Sequence, residues 1–495
     1  MQSIKTTVLL KAFAQLVQRA NRSLSIIICS LLFIGTCISQ PKISHAKTSQ
    51  INVDLVISNA QILTMDKDRK IYENGSIVVK DNQIIAIGTN TITSKYNAKK
   101  NINADGDIAM PGMINLHNHI PMVAFRGLGE NGVKNRLFKF FFPLEKELLS
   151  RDLIRIASRQ AAMELALSGV TMVADMYYHE DEVARSVAEV GIRGVLGETV
   201  IQFPVVDAPK PYGGFQYAEK FISEWKDHPL ITPAIAPHAT YTVTPEWLMK
   251  SKVLAEKENV PMLVHITESE GEKQLISERI KPLSKNKSII QYLEDMGFLS
   301  DKLLAAHVIF LDTNDMKILK KHGVGIAHNP KANSRAGTGI SPAWEMYKLK
   351  LDIGLGTDGP MSSNQMDIMN VMSYAAAVAR LSSKDDSRFT PYELVDMATM
   401  GGAKALDMEQ EIGSLEVGKK ADIIIVDTDA ANTQPNYDPY ATIAFTAYPQ
   451  NVTYTIVDGK VIVEKGILRT VDINEHNKEW IPLTKKVTKF AKTLE

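Results

Sequence analysis

Pro111-Gly112-Met113-Ile114-Asn115-Leu116-His117-Asn118-His119-Ile120-Pro121 reads as a short buried strand that ends in two histidines. The Pro-Gly pair punctuates the chain, and Met113, Ile114 and Leu116 supply the apolar run. On a strand, the i, i+2 spacing of His117 and His119 places both imidazoles on one face, close enough to share one ion. A helix would splay them apart. A His-x-His by itself also suits a turn with solvated histidines, so the stretch gains meaning only if the chain supplies more ligands downstream.

Seven further short apolar runs come after it, at 170–175, 192–197, 231–238, 262–265, 303–307, 324–328 and 353–358. Helical stretches separate them. Ser150 can cap a helix over 151–168 that Gly169 stops, and Thr244-Pro245 opens another that runs to about Glu258. With 113–119 the strands number eight, and seven of the eight end in His or Asp. This alternation predicts an α/β fold, a (β/α)8 TIM barrel, whose active site lies at the C-terminal ends of the strands. A doubly wound open sheet would alternate in the same way but would leave the ring of strand-end ligands unexplained.

On either side of this middle the texture changes to short strands and tight turns. Residues 54–58, 77–80 and 83–88 form one group, and 421–427 and 452–463 the other, where Asp458-Gly459 is a type I′ hairpin turn. One small β-sandwich built from both chain ends accounts for the pattern, although two separate caps would read alike. The expected division is a leader over 1–46, sandwich over 47–110, barrel over 111–407, sandwich again over 408–470, and a C-terminal tail over 471–495.

The leader is expected because Lys5, Lys11, Arg19 and Arg22 precede an uncharged apolar run over 24–38, then a polar segment ending in Ser44-His45-Ala46. This is the pattern of a secretory signal peptide and implies a periplasmic or secreted protein. The apolar run is short for a spanning helix, so no membrane association is expected after cleavage; an uncleaved anchor is the alternative. The full chain has 495 residues, 45% hydrophobic, with 56 basic and 56 acidic side chains, which argues against a nucleic-acid or membrane-surface binder. Both cysteines, Cys29 and Cys37, fall in the leader. A mature chain without cysteine has no thiolate ligand or nucleophile to offer, so a metal must sit on His, Asp or Glu.

Such ligands stand at the strand ends. His265, followed three residues later by Glu268, adds a third imidazole and a carboxylate, and Asp358 closes the last strand. Three neutral imidazoles and one carboxylate satisfy a divalent transition metal such as Zn²⁺ and leave a position for water. Glu268, one step past a ligand, lies within reach of that water and of a substrate atom, as general acid–base work requires. Asp358 has a spare oxygen that could also accept the water's proton.

His117-x-His119, His265-x-x-Glu268, His307, His328-Asn329-Pro330, Gly356-Thr357-Asp358 and the closing Gly413-Ser414-Leu415-Glu416-Val417-Gly418-Lys419-Lys420-Ala421-Asp422 together resemble the mononuclear type of the amidohydrolase superfamily. Within it the chain is similar to the branch of triazine hydrolases and S-adenosylhomocysteine and methylthioadenosine deaminases. The resemblance implies one metal ion, usually Zn²⁺ and sometimes Fe²⁺, on His117, His119, His265 and Asp358. It also implies a proton shuttle in Glu268, a polarising group in His307, and substrate contacts at His238 and Glu145, the latter on ribose hydroxyls. Self-association as a homo-oligomer is common in that branch. The pocket departs from the nucleoside-deaminase pattern: Arg136 stands where a Trp is expected, Glu198 where an Arg is expected, and a second expected Arg has no counterpart in 209–216. Loss of guanidiniums removes the bidentate clamp for a substrate carboxylate. The expected activity is deamination of a small-molecule nitrogen heterocycle, purine-, pterin- or nucleoside-like, by hydrolysis of a non-peptide C–N bond. The alternatives are chloride or alkylamine displacement from a triazine-like ring, and a non-catalytic binding protein on a retired barrel.

Overall fold

At Gly112 the chain leaves one sheet and enters another. The computed structural model describes residues 50–130, 137–280, 282–284 and 286–494, so the leader expected over 1–46 and Arg136 lie outside the described residues. A Cβ on Gly112 would stand 2.1 Å from the Thr171 side chain, so only glycine lets the first barrel strand approach the second this closely. Before Gly112, Ile108–Pro111 belongs to a nine-stranded mixed sheet; after it, Met113–Asn118 opens an eight-stranded parallel one.

The parallel sheet follows chain order: Met113–Asn118, Val170–Tyr177, Arg193–Val200, Ile231–Pro237, Met262–Ile266, Leu303–His307, Gly325–His328 and Ile353–Leu355. All eight expected strands are present, with helices between them. First and eighth strands meet where the Thr357 and Asp358 amides donate to the His117 carbonyl at 3.2 and 2.9 Å, which nearly closes the barrel. Ile114, Leu116, Met172, Ala174, Val195, Ala234, Ala236, Leu263, Leu304 and Ala306 fill its interior, so the barrel is a packed core rather than a pore. The expected caps are in place in part. Ser150 Oγ accepts from the Leu153 amide at 3.3 Å ahead of the helix Arg151–Leu167, whereas Thr244 precedes Pro245–Glu258 without a side-chain cap bond.

The other sheet draws strands from both ends of the chain, as expected. Ile108–Pro111 pairs antiparallel with Ile423–Val426, which joins the N-terminal strands Ile51–Leu63, Ile71–Lys80 and Gln83–Thr89 to the C-terminal Val452–Val457 and Lys460–Glu464. The strands form one continuous hydrogen-bonded ladder that curls back on itself. The Ala421 amide donates to Asn82 O at 2.9 Å and the Gly459 amide to Ala421 O at 3.1 Å, so the two hairpin turns touch. Leu55, Ile57, Ile77, Ile84, Ile423, Ile425 and Ile456 fill the enclosed face. At the second turn Asp458 and Gly459 both have positive φ, 51° and 76°, as a type I′ turn needs. The segment expected as a tail is instead a helix, Ile473–Ala491, capped by Asp472. Glu479 on it pairs with Arg155, and His476 Nε2 meets Gln160 Oε1 at 2.9 Å, which fastens it to Arg151–Leu167.

Arg193, buried at the start of the third barrel strand, ties the two sheets together. Its Nε and Nη2 donate to both oxygens of Asp422 (2.7 and 3.1 Å), and Nη2 also reaches Asp458 at 2.9 Å. Removing one partner of a buried pair leaves the other charge uncompensated, which costs about 3–5 kcal/mol. Arg193→Ala should therefore lower the unfolding free energy by that amount, read from the denaturant midpoint. A loss below about 1 kcal/mol, the scale of a surface ion pair, would show that the buried cluster does not hold the sheets together.

Candidate active site

Strand register turns the first two histidines into the barrel. Asn115 pairs with Val173 and Asn118 with Asp175, so the first strand carries one extra residue over this stretch. Such a bulge resets the alternation of side chains. His117 and His119 thereby point to the same interior that Leu116 lines. His265 needs no such device, since it continues the parity of the inward-facing Leu263. At His307 and Asp358 the strands break into left-handed backbone, φ +73° and +58°, which aims both side chains over the barrel mouth.

His117, His119 and His265 form one group of potential ligands and His117, His307 and Asp358 an overlapping one, with the ligand atoms of each group within 4.8 Å of one another. All five residues are buried. His119 Nδ1 donates to Met176 O (2.6 Å) and His265 Nδ1 to His238 O (2.7 Å), because a carbonyl can only accept. That fixes both tautomers and leaves their Nε2 atoms, 3.4 Å apart, facing one point. His117 Nε2 is buried with no hydrogen-bond partner and lies 3.7 Å from Asp358 Oδ1. An unpaired buried nitrogen beside two more and a carboxylate fits a divalent metal.

Charge in this cluster is uneven. Burial holds the pKa values of His117 and His265 well below the ordinary imidazole value, so both stay neutral. Burial also opposes a charge on His119, but the Asp358 carboxylate, 3.3 Å from its Nε2, outweighs it and raises the pKa to about 9. For Asp358 burial acts upward, yet His119, with His117 and His307 beyond, keeps the carboxyl below the usual carboxylate range.

The remaining expected residues surround this centre. Glu268 Oε1 lies 3.9 Å from His307 Nε2, and its side chain is 34% exposed, free to meet a substrate. His307 Nδ1 meets Asn333 Oδ1 at 2.8 Å, which leaves its Nε2 turned to the site. His238 Nδ1 meets Thr242 Oγ1 at 2.9 Å, and burial lowers its pKa to about 3, so it is a neutral group. Glu145, on the helix Phe142–Leu148, accepts from Tyr177 Oη at 2.6 Å; burial raises its pKa to about 7. Glu198 is wholly buried: its Oε2 accepts from the Glu180 amide, and burial with the Asp207 carboxylate beside it pushes its pKa far up.

Further residues position these groups: Asn115, Asn118, Gly356 and Thr357 stand inside the quoted motifs with no role assigned to them there, and Asn333 and Tyr177 carried no signal in the sequence. Asn115 and Asn118 both donate to Thr357 Oγ1 (2.7 and 2.8 Å), locking the first strand to the eighth. Asn333 and Tyr177 orient His307 and Glu145. Gly356 is needed because a Cβ there would stand 2.3 Å from Asn329 Oδ1 and 3.0 Å from His117 Cβ. Each partner is distant in the chain from the group it holds, beyond the reach of a spacing rule.

Convergent imidazoles and a carboxylate at the C-terminal mouth of a (β/α)8 barrel define a metal-dependent hydrolase. The chain belongs to the amidohydrolase family, whose model matches residues 108–462. A 5-methylthioadenosine/S-adenosylhomocysteine deaminase of Thermodesulfovibrio yellowstonii is 33% identical over 85% of this chain and 95% of its own. A 5′-deoxyadenosine deaminase of Methanosarcina acetivorans is 34% identical over the same shares. Among solved structures, a zinc-bound adenosine deaminase of Xanthomonas campestris superposes with a TM-score of 0.85 at 25% identity, over 89% of this chain and all of that one. A zinc-bound atrazine chlorohydrolase of Arthrobacter aurescens, at 21% identity and TM-score 0.79 over 87% of this chain and all of that one, shares the fold.

Proposed function

We propose that this protein is a metal-dependent deaminase of adenosine-like nucleosides, and that zinc, with iron(II) the alternative, is held by His117, His119, His265 and Asp358. The observation that carries the reading is the convergence of those ligand atoms beside Glu268, a carboxylate that can reach both water and substrate. When bound, the metal supplies a water whose pKa is lowered toward 7, a nucleophile at neutral pH. Glu268 takes a proton on the water's side and delivers it to the ring nitrogen, which readies the adjacent carbon for attack. His307, turned inward by Asn333, polarises that carbon's substituents. The Asp358 oxygen not turned to the histidines, spare when Oδ1 serves as the ligand, accepts the water's second proton and passes it to the departing amine. A C–O bond replaces the C–N bond, and ammonia leaves.

His238 and Glu145 bind the rest of the molecule in this reading, Glu145 on the sugar hydroxyls. Among the described residues near the site, no guanidinium is free to take a carboxylate tail. Glu198 is a buried acid, Arg126 pairs with Glu164, Arg335 with Glu130, and Arg151 with Asp181 and Glu182. On the described residues alone, with Arg136 outside them, the pocket favours 5′-deoxyadenosine or methylthioadenosine, and S-adenosylhomocysteine should show kcat/KM lower by about tenfold or more, the scale of one lost charge-assisted bond. Ammonia release from a panel of these nucleosides tests the reading. Equal efficiency on S-adenosylhomocysteine would remove the tail argument, and no release from any nucleoside would remove the function. Export belongs to the same proposal: the mature protein should begin near Lys47, and an intact mass that includes Met1 in the exported form would contradict it.

A further inference from the structure

We propose that Glu272 is a positioning residue for proton transfer, one that acts by fixing the backbone from which Glu268 projects. The inference rests on Glu268 as the proton carrier in the function proposed above. Glu272 is wholly buried at the start of the helix Glu272–Arg279, yet its carboxylate is directed away from that helix. Oε1 accepts from the Thr267 amide at 3.1 Å and from Thr240 Oγ1, and Oε2 accepts from the Glu268 amide at 2.8 Å.

These three donors belong to two different strand exits. Thr240 lies two residues beyond His238, and the His265 amide donates to His238 O at 3.1 Å, so the exits of the fourth and fifth strands already share a bond. Glu272 adds a second tie at the level of Glu268. Thr267, a β-branched residue, sits between His265 and Glu268 with φ +51°, a conformation such residues rarely adopt without outside support. The carboxylate that receives its amide provides the support. The Glu268 side chain is thus left partly exposed while its backbone is pinned, an arrangement suited to a group that must move a proton between two atoms without losing its place.

Glu272→Gln separates this role from general packing. An amide of the same shape has one acceptor oxygen. Placed toward Thr267 and Thr240, it turns its NH2 group against the Glu268 N–H; flipped, it leaves the Thr267 amide unpaired. Either way one amide of the Glu268 loop faces a donor. On 5′-deoxyadenosine, kcat should fall by about 10- to 100-fold, the cost of a catalytic group displaced by an ångström or so, with KM and metal content near those of the parent. The Glu268→Gln/Glu272→Gln double variant should be no slower than Glu268→Gln alone, because Glu272 acts only through Glu268. Amide hydrogen exchange in the peptide over 265–270 should quicken in Glu272→Gln without substrate present. Should that variant fail to fold, Glu272→Asp, one methylene short of both amides, should give the same pattern. Effects of the two substitutions that multiply, or unchanged exchange over 265–270, would overturn the proposal. If the parent deaminates no nucleoside, the proposed function fails, and the exchange measurement still decides whether Glu272 holds the loop.

Discussion

Glu268→Gln should lower kcat on an adenosine-like nucleoside by about 10²-fold or more while the protein keeps its metal. The scale is that of a lost general acid–base group. Glutamine preserves the side chain's size and an acceptor oxygen but can neither take nor return a proton. Glu268 lies outside both groups of convergent ligand atoms, so metal retention is expected. The His307 ring, 3.9 Å from its Oε1, is not among the four proposed ligands. Metal analysis beside steady-state kinetics separates the possibilities. Loss of metal would make Glu268 a ligand, and full activity on an amine-bearing substrate would end its role as proton carrier. An amine must be protonated to leave whereas chloride need not be, so the loss should be larger for a deaminase than for a chlorohydrolase.

Replacing His117 and His119 together with alanine should remove the metal and, with it, turnover. The pair accounts for two of the four proposed ligands, and the parent should hold about one ion per chain, because the described residues supply a single cluster of convergent ligand atoms. Binding should also be linked to protons in a direction set by the site. His117 and His265 are held neutral by burial and have none to lose, whereas His119 is raised to about 9 by Asp358 and carries a proton at pH 7. Metal binding near neutral pH should release about one proton, and apparent affinity should fall about tenfold per pH unit as the medium is acidified below 9. Calorimetry in two buffers of different ionisation enthalpy measures the release. No release would contradict the His119–Asp358 ion pair, and binding unchanged in the double variant would place the metal elsewhere.

The barrel was legible because its strands are fully buried apolar runs punctuated by ligand-type residues. All eight stand where the runs are, and the strand-end residues His117, His119, His265, His307 and Asp358 do meet. What the sequence concealed has physical reasons. The strand Tyr96–Asn103 lies at an edge with alternate residues exposed, and Lys100 interrupts the sparse apolar face of Tyr96, Ala98 and Ile102. The C-terminal helix contains Pro482 on its exposed side, a residue that reads as a helix breaker. The bulge that turns His117 inward is a property of pairing between strands, invisible in either strand alone. Glu272, Asn333 and Tyr177 act on groups that reach them only through the fold. Arg136, expected at the substrate, lies outside the described residues.

Isotope transfer from water decides whether the protein deaminates by hydrolysis. Metal-loaded protein is incubated with 5′-deoxyadenosine in ¹⁸O-enriched water, and the product is weighed by mass spectrometry while ammonia is counted. Hydrolytic deamination predicts one ¹⁸O gained and one nitrogen lost per product molecule, with one ammonia released for each. A substrate recovered unchanged, or a product that keeps all its nitrogens, would contradict it.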